Sequence, residues 1–365
     1  MSTSHGAVSS HSKISVAICT YNGAQYIAEQ LNSILNQSIS PDEIVLSDDS
    51  SEDQTVQIAK TILENQKIVG DWKILRNSQN LGYVKNFEQA CKTCTGNLIF
   101  LSDQDDVWIP TKVEEFLPAF DDPSILLVFS DGWVTDRSLN PVTSVFSAFE
   151  ITDAELDQIT HGTGFPLFLR RSFATGAATA IRKSLIDIAS PFPPPPWHHD
   201  EWLAISAAAA DGVLALRKKT FYYRQHGRNQ IGVPVSSAQF LTNPSSMAIF
   251  KNRFIDSING SFAKQCRART ETLNQVLDRF QSLKIERPEF EAHVNATRAE
   301  ADFFTLRGHA RSLSWLVNLP SYRNIYRIHT DHPYLAMLLD TISALMSIFD
   351  SPFQNSNSNH LPDEN

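Results

Sequence analysis

Between residues 14 and 129 the chain alternates short apolar runs with amphipathic segments, and this alternation limits the fold to repeated βαβ units. Residues 14–19 read as a first strand. Residues 24–35 follow with Ile27, Leu31, Ile34 and Leu35 at helical spacing. Strands at 43–46, 72–75, 98–101 and 125–129 come next, separated by helices at 54–63, near 84–93 and from Pro110 and Thr111 onward. The expected product is half of a doubly wound α/β sheet with its ligand loops at one edge. The second half is less regular. Residues 174–181 read as a strand containing Gly176, and the proline-rich turn 191–196 leads into Trp197-His198-His199-Asp200-Glu201-Trp202. An alanine-rich helix at 203–210 and strands at 213–216 and 220–223 follow, and from about Ser245 the pattern is helical.

The segment Asn97-Leu98-Ile99-Phe100-Leu101-Ser102-Asp103-Gln104-Asp105-Asp106 carries the sharpest chemical signal. A buried parallel strand ends abruptly in three carboxylates, at the edge where open α/β sheets bind ligands. Carboxylates this close repel one another, so the cluster gains nothing without a partner. A hard divalent cation, Mg²⁺ or Mn²⁺, accounts for it, with substrate phosphates completing the coordination. The competing reading is an acidic turn that caps the next helix.

Composition removes several function classes. A net charge of −9 argues against a general nucleic-acid binder, which carries a basic face. Four cysteines in 365 residues supply no disulfide framework, and Cys91 and Cys94 lack a second pair to complete a zinc site, so they read as buried thiols on a helix. The first thirteen residues lack the apolar stretch of a signal peptide, and no run approaches the about 18 apolar residues of a membrane span. These features fit a cytoplasmic protein.

The other strand ends are polar in a telling way. The first finishes in Cys19-Thr20-Tyr21-Asn22-Gly23, with no glycine-rich dinucleotide fingerprint after it. Thr20, Tyr21 and Asn22 are placed instead to meet a nucleotide base and ribose. The second ends in Ser47-Asp48-Asp49-Ser50-Ser51, whose carboxylates are suited to a base N–H or ribose hydroxyls, or to capping the following helix.

Taken in order, TYNG, SDDSSEDQT, NLGYVKN and LSDQDDVW resemble the family 2 glycosyltransferases of GT-A fold, especially rhamnosyltransferase-like members, over residues 14–232. The resemblance implies a Rossmann-like, mostly parallel central sheet flanked by helices, with a helical C-terminal region. It implies that Thr20, Tyr21, Asn22, Asp48 and Asp49 hold the nucleotide of a sugar donor. Asp103, Asp105 and Asp106 would then bind Mn²⁺ or Mg²⁺, with Asp103 also at the donor diphosphate. Asp200 is the expected catalytic base, with Glu201 as the alternative. Gly176 matches a small-residue position that lets substrate approach the backbone, and His226, in Tyr223-Arg224-Gln225-His226, is expected at the departing diphosphate. The implied reaction is a metal-dependent, inverting transfer of a sugar, rhamnose or another deoxyhexose by resemblance, to a glycan or polyprenyl-diphosphate-linked acceptor. A carboxylate is needed because a sugar hydroxyl is a poor nucleophile at neutral pH.

The expected organisation is a disordered N-terminus at 1–13, the glycosyltransferase domain at 14–240, a helical region at 241–350 and a disordered tail at 351–365. Between residues 303 and 330 the chain has no acid, while Arg307, Arg311, Arg323 and Arg327 mix with Trp315, Tyr322 and Tyr326. That mixture suits peripheral contact with the inner face of an anionic membrane, or a helical hairpin packed on the catalytic domain. Rival classes are a haloacid-dehalogenase-type phosphotransferase, a nucleotidyltransferase and an inert nucleotide-sugar-binding module. The acidic strand is the fourth rather than the first, against the first rival. TYNGAQ has no basic residue, against the second, and the full acid set argues against the third.

Overall fold

The computed structural model describes residues 12–66, 70–195 and 197–226, with helical residues at 270–271, 273–279, 291–292, 294–295, 297–299 and 301–302. The chain divides into two units, Met1–Ala238 and Gln239–Asn365. Within the second, Leu273, Val276, Thr297 and Ala301 are buried. The expectations for residues 1–11, for the basic segment 303–330 and for the tail 351–365 fall outside the described residues. Among the described residues no helix is long and apolar enough to cross a membrane.

The first unit is built on nine strands: β1 (Ile14–Thr20), β2 (Glu43–Asp48), β3 (Asp71–Arg76), β4 (Leu98–Ser102), β5 (Val107–Trp108), β6 (Leu127–Thr135), β7 (Pro141–Ser144), β8 (Thr179–Arg182) and β9 (Val213–Arg224). Nine α-helices accompany them: α1 (Ile27–Leu35), α2 (Thr55–Asn65), α3 (Tyr83–Thr93), α4 (Lys112–Phe116), α5 (Val145–Ala148), α6 (Asp153–Thr160), α7 (Phe165–Arg170), α8 (Ser184–Ala189) and α9 (His199–Ala208). The sheet order is β3-β2-β1-β4-β8-β6-β9-β5, with β7 paired to β6.

The order explains where a ligand goes. Strands β3, β2, β1 and β4 are all parallel, and every residue of β1, β2 and β4 is buried, as strands covered on both faces require. Chain order runs outward from β1 to β3 and then returns to place β4 on the other side of β1. The connections therefore diverge at the β1/β4 boundary, which opens a crevice at the carboxyl ends of these two strands.

Beyond β4 the sheet is mixed. β8 is antiparallel to both β4 and β6, while β9 is parallel to β6 and antiparallel to β5. Three expectations change here. The strand expected at 174–181 is split: Gly176–Ala178 forms a 3₁₀ turn and only Thr179–Arg182 extends. The two strands expected at 213–216 and 220–223 are one strand, β9, whose register against β6 shifts near Asp131 where exposed Arg217 and Lys218 interrupt the apolar pattern. The helix expected at 203–210 begins four residues earlier, at His199, so Asp200 and Glu201 lie inside its first turn.

Candidate active site

A cavity of about 550 Å³ opens at the β1/β4 switch point. Thr20 and Tyr21 reach it from the end of β1, Asp49 from β2, and Asp103, Gln104 and Asp105 from β4. Gly176, His198 and Asp200 arrive from the second half of the unit. Thus eight stretches well separated in sequence, 19–21, 49, 80–87, 103–105, 149, 172–176, 198–200 and 223, meet around one space.

The loop after β2 is held by its own carboxylates. Asp48 accepts from the Thr20 hydroxyl at 2.8 Å, from the Ser51 N–H at 2.9 Å and from the Ser51 hydroxyl at 2.5 Å. It is fully buried and does not line the cavity. Asp49 does line it, and accepts from Asn77 Nδ2 at 2.9 Å, Leu81 N–H at 2.8 Å and Gly82 N–H at 2.9 Å. Gly82 adopts φ +81 at the start of α3, a left-handed conformation that glycine takes without strain. Asn22 also stands outside the cavity: its Oδ1 accepts the Glu52 N–H at 2.9 Å, tying the β1 loop to the β2 loop.

The loop after β4 is different. Asp103 faces the cavity without a hydrogen-bond donor among the described residues. Its carboxyl is pushed up to about 8 by burial, then by the charges of Asp105 and Asp200, with Lys112 opposing. Asp105 Oδ2 accepts from His226 Nε2 at 2.8 Å, and Asp105 too lines the cavity. His226 itself does not; its ring stacks on Tyr26 with centroids 4.6 Å apart. Asp106 turns away and is fully buried. Its Oδ1 accepts the Arg224 N–H at 3.1 Å and its Oδ2 has no partner among the described residues, and burial first, then the neighbouring acids, holds its carboxyl far above the usual range.

Gln104, between the two cavity acids, joins the loops. Its Oε1 accepts the Tyr21 N–H at 2.8 Å and its Nε2 donates to the Tyr21 carbonyl at 3.0 Å. Gly23 makes room for this amide, since a Cβ there would stand 2.1 Å from Gln104 Oε1.

Asp200 opens α9, where the positive end of the helix favours an anion. Its Oδ2 accepts the Gly176 N–H at 2.9 Å and its Oδ1 accepts the Glu201 N–H at 2.8 Å. Asp200 lines the cavity and Glu201 does not. Gly176 is confined by more than the cavity: a Cβ there would meet His199 Nε2 at 2.6 Å and Asp103 Oδ2 at 3.7 Å. The His199 ring is buried, stacks on Phe87 at 3.7 Å, and burial pulls it down to about 4, so it is neutral near pH 7. Tyr83 and His198 pair through the phenol and Nδ1 beside Asp200, and both line the cavity. Sequence reasoning did not single out either one. The signal was present, because Tyr83 sits in the NLGYVKN strand-exit motif and His198 two residues before Asp200.

Among the described residues no three His, Cys, Asp or Glu side chains form a ready-made metal cage. The donor set still fits a hard cation. Asp103 and Asp105 present carboxylate oxygens to one cavity, Asp103 lacks any other donor, and Mg²⁺ sites commonly use one or two carboxylates and take the rest from substrate phosphates.

Comparison with known proteins gives a consistent result. Residues 15–186 match the model of Glycosyl transferase family 2. An uncharacterized glycosyltransferase of Nostoc sp. is 26% identical over 219 residues, covering 60% of this chain and 66% of that protein. The dTDP-rhamnosyl transferase RfbG of Shigella flexneri is 28% identical, covering 60% and 75%. The chain spans just under two thirds of the Nostoc relative's length. Among solved structures, S. aureus TarS residues 1–349 in complex with UDP-GlcNAc superposes with a TM-score of 0.51 at 16% identity, covering 92% of this chain and 89% of that one. The likeness extends to the GT-A type of fold.

Proposed function

Residues 15–186 form a glycosyl transferase family 2 domain, and from that premise we propose that the chain transfers a sugar from a nucleotide-diphosphate donor to a saccharide hydroxyl, with inversion at the anomeric carbon. One observation carries the reading. Asp103, Asp105 and Asp200 border the same cavity as Thr20, Tyr21 and Asp49, so a cation-suited acid pair, a nucleotide-suited wall and a carboxylate base share one space.

In this reading the nucleotide lies against Thr20, Tyr21 and Asp49. Asp103 and Asp105 would hold a divalent cation, Mn²⁺ or Mg²⁺, beside the donor diphosphate, and such a cation would supply Lewis-acid stabilisation of the charge that grows on the departing diphosphate. Asp200 takes the proton of the acceptor hydroxyl as it attacks. Its two backbone N–H donors, from Gly176 and Glu201, hold the carboxylate in place at the cavity wall. One displacement suffices, and no acid is required for the leaving group. His226, behind Asp105, orients that carboxylate rather than touching the diphosphate directly. The likeness to RfbG supports a dTDP-activated deoxyhexose as the donor.

The test begins with binding of UDP-, GDP- and dTDP-sugars by calorimetry, with and without Mn²⁺. Metal-dependent binding of one nucleotide class is the expected result, and folded protein that binds none of them overturns the proposal. Asp200→Asn then keeps donor binding while turnover falls by about 10²–10⁴-fold, the range for loss of a general base. Glu201→Gln stays near wild type; a larger loss there than at Asp200 transfers the base to Glu201.

A further inference from the structure

Beneath the acidic loop lies a lysine that the proposed reaction does not use. Lys112, the first residue of α4, is fully buried. An ammonium group in such surroundings is costly unless it is paired and hydrogen-bonded. Its Nζ donates to the Ala177 carbonyl and lies 4.3 Å from the Trp108 ring centroid and 5.1 Å from that of Phe221, while Asp106 and Asp103, in the loop six to nine residues before it, are the charges that act on it without forming an ion pair. A methionine would satisfy the aromatic surroundings equally well. What lysine adds is one positive charge and one donor, directed at two separate parts of the site.

Those two parts are the acidic loop and the turn that carries the base. Ala177 is the centre of the Gly176–Ala178 turn. The Gly176 N–H holds Asp200 Oδ2 at 2.9 Å. On its other side Gly176 is packed so closely that a Cβ would touch His199 and reach within 3.7 Å of Asp103 Oδ2. A shift of the turn therefore moves the carboxylate of Asp200 relative to Asp103. The β4–β8 pairing of Leu98, Ile99 and Phe100 also joins these segments, and it stops before the loop.

We infer that Lys112 is a positioning residue: its buried ammonium group clamps the Gly176–Ala178 turn to the Asp103–Asp106 loop and so sets the distance between the base and the diphosphate site. This rests on the glycosyltransferase reading for its effect on turnover, but the clamp itself is a property of the free protein.

Lys112→Met tests it with two readouts. Turnover of the accepted nucleotide sugar falls about 100-fold, as a misplacement of about 1 Å at a reacting group does. Donor Kd moves less than about threefold, because the nucleotide wall is untouched. In the metal-free, ligand-free protein, amide exchange of a peptide spanning residues 172–182 accelerates about tenfold. Wild-type turnover and wild-type exchange in folded Lys112→Met overturn the inference. Where that variant fails to fold, the charge-neutral pair Asp106→Asn with Lys112→Met replaces it. Low turnover and fast exchange in the pair support the clamp, whereas recovery of both to wild type reduces Lys112 to a counter-ion for Asp106 and overturns it. If the wild-type protein turns over no nucleotide sugar, the glycosyltransferase reading fails, and the exchange measurement still decides the role of Lys112.

Discussion

Two loops of this molecule look alike in sequence and behave as opposites. Each follows a buried parallel strand, and each begins with adjacent or near-adjacent aspartates. After β2 the carboxylates are saturated: Asp48 has three donors and Asp49 has three. After β4 they are starved. Asp103 has no donor among the described residues, and one oxygen of Asp106 is buried without any partner. The first loop is satisfied by its own neighbours, whereas the second leaves the cavity-facing Asp103 without a donor among the described residues, where the proposed cation would bind. Paired acids at a strand end therefore do not by themselves mark a metal site; the supply of N–H groups from neighbouring elements decides which pair is structural.

The largest expected effect sets the loops directly against each other. Asp105→Ala abolishes metal-dependent donor binding while unfolding free energy stays near wild type. Asp48→Ala does the reverse, costing about 3 kcal/mol in urea unfolding because buried donors lose a charged acceptor. If the two variants trade these phenotypes, the assignment of structural and functional loops is inverted.

A smaller effect comes from pH. Burial and neighbouring acids push Asp103 up to about 8, against about 4 in an unfolded chain. Its protonated form therefore contributes stability that is full below about pH 4 and is lost as pH rises through about 8. Burial also pulls Lys112 down to about 7, and that change acts in the opposite direction above this pH, so the decline is read between pH 4 and 7. The metal-free protein should lose thermal stability across this window, and Asp103→Asn should flatten the slope. Because a bound cation displaces the proton, apparent Mn²⁺ affinity should rise over the same range. Equal slopes in wild type and variant would remove Asp103 as the starved acid.

The smallest effect tests the bridge between the strand-end loops. Gln104→Ala removes both hydrogen bonds to the Tyr21 backbone, and donor KM should rise about threefold with kcat little changed. A change confined to kcat would mean that the amide acts on the acids alone.

Much of this was visible in the chain. The strands β1, β2 and β4 are apolar runs buried on both faces, so their type and position follow from residue pattern. The meeting of their ends follows from parallel connectivity. What the pattern did not contain was the fate of each acid. Asp49 is satisfied by Asn77, Leu81 and Gly82, 28 to 33 positions away, and no local signal pairs them. The helices α5, α6 and α7 and the short strands β5 and β7 also went unread, because two to eight residues are too few for a period to emerge. Lys112 was read only as part of a helix start. Its spacing of four from Phe116 within α4 puts a lysine on the apolar face of that helix, and that was the available hint.

The division of labour around the cavity has an engineering consequence. Groups suited to the nucleotide come from the chain before Asp106, whereas Phe149, Phe173, Gly176, His198 and Asp200 all come from the chain after it. The seam between these halves is extensive: the β4–β8 ladder, Lys183 with Cys91, Tyr83 with His198, Phe87 with His199, Arg224 with Glu29, Asp105 and Asp106, and His226 with Asp105. A chimera that exchanges one half for that of a relative has to keep this set matched, and it then reads whether acceptor preference travels with the exchanged half.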